Sequence, residues 1–427
     1  MKMKCFFGLL NVALFFMQMP VGTAQEYKTE GRKRLNFAQS YFELGTQVYP
    51  AFNGFRYNES ETSRYESIRN PATVVPNLQI GGIHFWGHAD FYISIPLAHI
   101  GTKEGNRFQL DESVVTGARY LPWAFRYKRL TPYFGAAWTV RTYKQGAKGT
   151  AVPPKLIENK LRFDAGLVFG QAHWLLRLGF VAYPNADIRY PVSKTSFETI
   201  HLPRISPHVG FSWLIETTKT KGMDEINRTL NEYPALSNPR LQNSLKSGWF
   251  LGLGLSSTWI LTPSERNTAQ FPYFNKRGIS NSFPDMAAGY HFSNLGLMTA
   301  LSFRNMKFSQ AGYQSEQTLK RNSLVLEVSK FLFDYHGFTP YLGAAIGIEN
   351  YRLQEKSEAG SLDLTKSKLS EGLVFGWDIL PGKTRQRWVL RTNLRYFPFE
   401  NLTVQGQKLN LGQLEYNVIQ LVWYPGR

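Results

Sequence analysis

"TPYFGAAWTV" stands at 131–140 and "TPYLGAAIGI" at 339–348, nearly the same ten residues twice in a chain of 427. Around the first copy, Tyr133, Gly135, Ala137, Thr139, Arg141 and Tyr143 alternate with Phe134, Ala136, Trp138 and Val140, small or polar residues against apolar ones. That is period two, the mark of a strand with two unlike faces. The second copy keeps the alternation where identity is lost: Tyr341, Gly343, Ala345, Gly347 and Glu349 oppose Leu342, Ala344, Ile346 and Ile348.

The flanks recur in the same order at a nearly constant offset. "GIHF" at 82–85 answers "GYHF" at 289–292, and "GLVFG" at 166–170 answers "GLVFG" at 372–376. "WLLRLGFVAYP" from Trp174 answers "WVLRTNLRYFP" from Trp388, and Trp213 matches Trp423. Order kept across several segments implies internal duplication of one unit. Each unit reads as eight strands, at 41–49, 77–86, 89–96, 113–125, 131–143, 160–170, 174–183 and 206–215, then at 248–258, 285–292, 295–304, 322–333, 339–351, 367–379, 386–397 and 412–424. Long polar connections trade places with short turns, the rhythm of a transmembrane β-barrel. One connection breaks it. The stretch 216–246 is long and polar where a short turn is due, so it either interrupts one sixteen-stranded barrel or links two eight-stranded ones.

The first residues, "MKMKCFFGLLNVALFFMQMPVGTAQ", carry Lys2 and Lys4, an apolar run at 5–19, and Gly22, Thr23 and Ala24 as a small-residue cleavage site. This is the layout of a secretory signal peptide ending at Ala24. The run is too short for a membrane anchor and contains Asn11 and Gln18. Cys5, the sole cysteine, lies inside it, so the mature chain has no disulfide, cysteine metal site or thiol nucleophile. No run of about eighteen apolar residues follows, and an exported chain without such helices spans a membrane only as a closed β-barrel. Aromatic content of 15% with a mean hydropathy of −0.29 fits a wall whose faces alternate. The net charge of +18 reads as cations facing lipid phosphates or a surface polyanion, not nucleic acid.

On these residues each unit resembles the eight-stranded OmpA/OmpX-like outer-membrane barrels, whose fifth strand commonly reads like "TPYLGAAIGI" and whose last strand ends in aromatics, as "VIQLVWY" does at 418–424. The resemblance implies location and fold and leaves function open. It departs from the family in carrying two units, and it lacks the peptidoglycan-binding domain that some members have.

With the apolar face toward lipid, Glu43, Asp90, Arg119, Arg141, Asp164 and Arg177 of the first unit are expected in the lumen. In the second unit Glu327 and Glu349 are expected in the places of Arg119 and Arg141, with Arg391 in that of Arg177. Two readings of these charges stand. They neutralise one another inside small packed barrels, or they line a wider lumen that selects solutes. The single enzymatic hint is "YHFSN" at 290–294, which resembles the His-x-Ser-Asn stretch of the outer-membrane lipid A deacylases. The resemblance would make His291 the general base and Ser293 the nucleophile. The matching "GIHFWG" keeps His84 but has Trp86 in place of the serine, and no carboxylate follows on the next strand, so a repeated barrel position is the simpler reading. His84, His88 and Asp90 read as a solvated turn, not a metal site.

The expected fold is therefore all-β: a transmembrane antiparallel barrel, with one ring of about sixteen strands favoured over two tandem eight-stranded rings. The expected divisions are a signal peptide at 1–24, an N-terminal periplasmic segment at 25–40, a first repeat at 41–215, a periplasmic linker at 216–246 and a second repeat at 247–427. The expected role is non-enzymatic, in the outer membrane of a Gram-negative bacterium: porin-like passage of small solutes, or else a closed scaffold, adhesin or lipopolysaccharide-binding surface. No cofactor and no metal are expected. The expected partners are outer-membrane lipid and lipopolysaccharide, the barrel-assembly machinery during insertion, and other outer-membrane subunits.

Overall fold

The computed structural model describes residues 38–58, 64–98, 100, 108–145, 147–148, 152–171, 173–216, 247–280, 282–333, 338–379 and 387–426. The signal peptide and the linker fall outside them, apart from Glu216, as does most of the expected N-terminal segment.

Eight wall strands form the first half: β1 (Gln39–Tyr49), β2 (Thr73–His84), β3 (Ala89–Pro96), β4 (Val115–Tyr120), β5 (Leu130–Gln145), β6 (Leu156–Gln171), β7 (Trp174–Ala182) and β8 (Ile205–Glu216). Each pairs antiparallel with the next, and β8 returns to β1 with Glu43 opposite Ser212, so the ring closes. Its strands are not evenly spaced round an axis. The second half is a closed barrel of β9 (Gly248–Ile260), β10 (Phe283–Phe292), β11 (Leu297–Gly312), β12 (Ser315–Phe331), β13 (Phe338–Ser357), β14 (Gly360–Ile379), β15 (Trp388–Phe397) and β16 (Gln413–Trp423). Here β9 pairs with β16, Leu253 opposite Leu421.

The single ring of about sixteen strands is therefore not what the pairing builds. It would need β8 beside β9 and β16 beside β1, yet both edges of each of these strands are already hydrogen-bonded within their own half.

Period two decides what each wall faces. Along β13, Tyr341, Ala345, Glu349 and Tyr351 are buried inside while Leu342, Ala344, Ile346 and Ile348 point out. Leu251, Leu253 and Leu255 on β9 are more than half exposed, as are Phe134 and Phe180 in the first ring. An apolar belt of this extent suits lipid, not water. Tryptophans edge it, with Trp388 stacked near Trp423 (ring centroids 6.0 Å apart) and Trp174 near Phe211 (5.9 Å). No helix among the described residues is long and apolar enough to cross a membrane.

Some connections expected to be long loops are strands. β11 runs on to Gly312 and turns through Tyr313 and Gln314, both left-handed (φ 49° and 61°), directly into β12. Outward residues cease to be apolar after Phe303, but the alternation continues with Lys307 and Ser309 outside and Phe308 and Gln310 inside. The connection from β9 to β10 instead folds over its own barrel and contains a short helix, α1 (Glu265–Gln270). Ser264 caps it, its Oγ accepting from the Asn267 amide at 3.1 Å.

Candidate functional site

All nine charged residues expected in the lumen are buried, at most 4% exposed. In the first ring Arg119 on β4 donates from Nη1 to Asp90 (2.9 Å) and from Nε to Asp164 (2.5 Å). Arg177 on β7 donates from Nη2 to the same Asp90 oxygen (2.9 Å) and pairs with Glu43. Tyr41 and Ser212 hydroxyls donate to Asp90 and Glu43 at 2.7 and 2.6 Å. Six of the eight strands thus meet in one network.

The opening motif makes room for this network. A Cβ at Gly135 would stand 2.0 Å from Asp164 Oδ1 and 2.8 Å from Arg119 Cγ, so only glycine fits beside the pair. Tyr133, two residues earlier, presents its ring to both Arg119 and Arg177.

Farther along the lumen a second layer joins Glu112 to Arg162 (3.2 Å), Tyr49 (2.6 Å) and Tyr183 (2.8 Å). Arg141 lies over the Tyr183 ring at 4.1 Å, its guanidinium without a hydrogen-bond partner among the described residues. Glu112 and Arg162 escaped the sequence reading. Glu112 sits on a short strand (Phe108–Glu112) that continues the edge of β5 paired with β4, one residue before the start expected for that strand at 113.

The second barrel is filled in the same way. Arg391 holds Asp378 through Nε and Nη2 at 2.7 and 2.8 Å. Above them Arg395 bridges Asp285 (2.6 Å) and Glu327 (2.7 Å), Arg304 contacts Glu327 and Glu415 (3.3 and 3.2 Å), and Arg321 pairs with Glu415 and approaches Glu349 at 3.6 Å. Asp285, Arg304, Arg321, Asp378, Arg395 and Glu415 were missed, although inward parity on their strands would have found them.

Register also corrects one equivalence. With Gly343 in the place of Gly135, the residue answering Arg119 is Ser329, whereas Glu327 sits opposite Ala345 and answers Gly117. Arg391 does match Arg177: Trp174 faces Trp213 and Trp388 faces Trp423 at the two corresponding strand ends.

The β9–β10 connection closes the second lumen at the end of the long hairpins. Arg266 of α1 is buried and donates to Glu355 from Nε (3.0 Å) and Nη2 (2.5 Å), while Asn267 exchanges hydrogen bonds with Gln317. A cavity between this lid and the wall, lined by Asn267, Phe308, Gln317 and Leu353, has a volume of about 10 Å³, room for about one water.

His291 and Ser293 stand in different surroundings. His291 points inward, fully buried and edge-on to Phe331. Ser293 begins the tight turn after β10, where its Oγ lies 2.8 Å from Ser247 Oγ and donates to Asn294. His84 packs edge-on to Phe91, and His88 Nδ1 lies 3.0 Å from the Leu121 carbonyl oxygen. Among the described residues no group of three or more His, Cys, Asp or Glu could hold a metal ion.

The two rings touch. Trp138 on β5 stacks flat on Trp259 on β9, Asn275 Oδ1 accepts from the Ile157 amide (2.9 Å), and Tyr313 bonds the carbonyls of Val152 (2.9 Å, through its amide) and Pro191 (3.0 Å, through its hydroxyl). Between these contacts lies a cleft of about 700 Å³, with Lys160, Arg189, Lys276 and Arg277 among its lining residues.

No protein-family model matches the sequence, and no protein of curated function matches it. Among solved structures the chain is similar to Neisserial surface protein A (15% identity, TM-score 0.31), over 42% of this chain and 99% of that one. It is similar over the same shares to Ail of Yersinia pestis, solved with a heparin analogue (12%, TM-score 0.28). A looser likeness to the transport unit of the autotransporter AIDA-I from Escherichia coli spans 97% of this chain and 98% of that one (9%, TM-score 0.21). Likenesses this distant carry no argument about function.

Proposed function

We propose that the chain is a Gram-negative outer-membrane protein, built by duplication of an eight-stranded unit and exported by a leader at 1–24. It acts as a closed, non-conducting scaffold that presents a polar surface outside the cell. The observation that carries this reading is the state of the two interiors. Eight strands enclose just enough room for side chains, and that room is occupied by arginine–carboxylate networks and, in the second barrel, by a lid anchored through Arg266 and Glu355. Porin-like passage followed from a sixteen-stranded ring and loses its support with it.

In this reading the short turns face the periplasm and the long hairpins face outward, as in bacterial barrels generally. The segment 217–246 joins the two barrels on the periplasmic side.

Two measurements test it. The folded protein in planar bilayers gives no sustained single-channel steps; stable channels present in most insertions would overturn the closed reading. Cleavage within 217–246 of the detergent-folded protein leaves two halves that each shift on an unheated gel. A failure of either half to fold as its own heat-modifiable unit would overturn the paired-barrel reading.

A further inference from the structure

The outer face of β11 to β14 is written in rows. Phe303, Leu324, Ile348 and Leu369 lie opposite one another and are the last apolar row. Two residues farther along each strand come Asn305, Asn322, Asn350 and Ser367, tied side to side by Asn305 Nδ2 donating to Asn322 (2.8 Å) and Ser367 Oγ donating to Asn350 (2.6 Å). Two residues farther again the row is Lys307, Lys320, Arg352 and Thr365, its three cations exposed on adjacent strands.

Like charges placed directly opposite each other destabilise a sheet, so this row costs stability unless an anion covers it. Arg352 is answered by Asp363, through Nε at 3.0 Å and Nη2 at 2.6 Å. Among the described residues no carboxylate forms an ion pair with Lys307 or Lys320, so the row keeps a positive excess.

From this we infer that the β11–β14 wall is a binding surface for the phosphate-bearing glycolipid of the outer leaflet, whose acyl chains lie on the apolar rows and whose phosphates meet Lys307 and Lys320. The choice of a lipid over a soluble polyanion rests on continuity. The cations stand about 13 Å along the strand from the last apolar row, with a hydrogen-bonding amide row between them. That order of apolar, amide and cation matches acyl chain, sugar and phosphate in a single amphiphile. Lysine stems can reach toward the interface while their ammonium groups stay with the phosphates. The inference rests on the apolar belt lying in a membrane, as proposed above.

The test uses the full-length folded protein in detergent, with bisphosphorylated lipid A, the same lipid with its phosphates removed, and a heparin oligosaccharide as probes. Binding is read by native mass spectrometry and by the shift in unfolding temperature. The expected result is binding of the phosphorylated lipid over both other probes. Lys307→Gln/Lys320→Gln weakens it about tenfold or more, while Lys276→Gln/Lys408→Gln, which removes equal charge elsewhere, leaves it unchanged. Asp363→Asn strengthens it several-fold by releasing Arg352, a gain that misfolding cannot mimic.

Equal binding of the dephosphorylated lipid would show a merely greasy wall, and equal or tighter binding of heparin would point to a soluble polyanion; either overturns the inference, as does an unaffected double variant. None of these outcomes alters channel recordings or gel shifts, so its failure is separable from failure of the closed-scaffold reading.

Discussion

Trp138 of the first ring lies flat on Trp259 of the second, ring centroids 4.4 Å apart and planes within 3° of parallel. An aromatic pair contributes about 0.5–1.5 kcal/mol beyond its buried area, and this one joins the first ring to the second barrel, each paired within its own half. Trp138→Ala therefore leaves both halves heat-modifiable but loosens their association. After cleavage in 217–246, the variant's halves separate on size exclusion at lower detergent concentration than the wild type's; identical behaviour would show that the stack contributes nothing to docking.

Arg391 and Asp378 are both at most 2% exposed and share two hydrogen bonds. Removing one partner strands a buried charge, at a cost of about 3–5 kcal/mol. Arg391→Met and Asp378→Leu are each expected to lower the urea midpoint strongly, while the double substitution recovers most of the loss. Additive losses in that cycle would contradict the pairing.

Gly135 has no room for a side chain next to Asp164. Gly135→Ala should destabilise the first ring by about 1–3 kcal/mol, as overpacking does, without affecting the second barrel. Unfolding of the two cleaved halves, followed separately, checks this. A loss in the second half, or in neither, would be the contrary result.

Arg266 secures the lid through Glu355. Hydrogen bonds to charged groups contribute about 1.5–3 kcal/mol, so Arg266→Ala should expose 261–282 to limited proteolysis. Conductance should stay absent, because Arg304, Arg321 and Arg395 still fill the lumen below. Steady channels in this variant would mean that the lid alone closes the barrel.

Glu400 lies between β15 and the hairpin strand Asn401–Val404, outside the wall strands. Burial lifts its carboxyl above the usual range, against the pull of Lys368 at 3.5 Å. The folded state then holds this proton to higher pH than the unfolded one, so stability declines as pH rises from the ordinary carboxylate value through the raised one. Glu400→Gln should remove that decline; an unchanged pH profile of the denaturation midpoint would disprove it.

The wall strands were legible because lipid on one side and side chains on the other impose period two, which Tyr341 to Ile348 displays without any neighbour. The nine charges named by the same parity are all buried. Asp285, Arg304, Arg395 and Glu415 obey that parity too, and all but Arg395 lie outside the repeated motifs. Glu112 lies one residue before the start expected for the fourth strand, on a short strand that continues its edge of β5.

By itself the sequence determined that this is a β-barrel protein and where its strands alternate, since strand alternation is local and needs no partner. Only the tertiary structure decided that each half closes on itself. An antiparallel strand presents the same backbone donors and acceptors to any neighbour, so whether β1 meets β8 or β16 is written in no side-chain pattern. In the folded chain the closed rings bring together Glu43 with Arg177 and Asp285 with Arg395, pairs far apart in sequence.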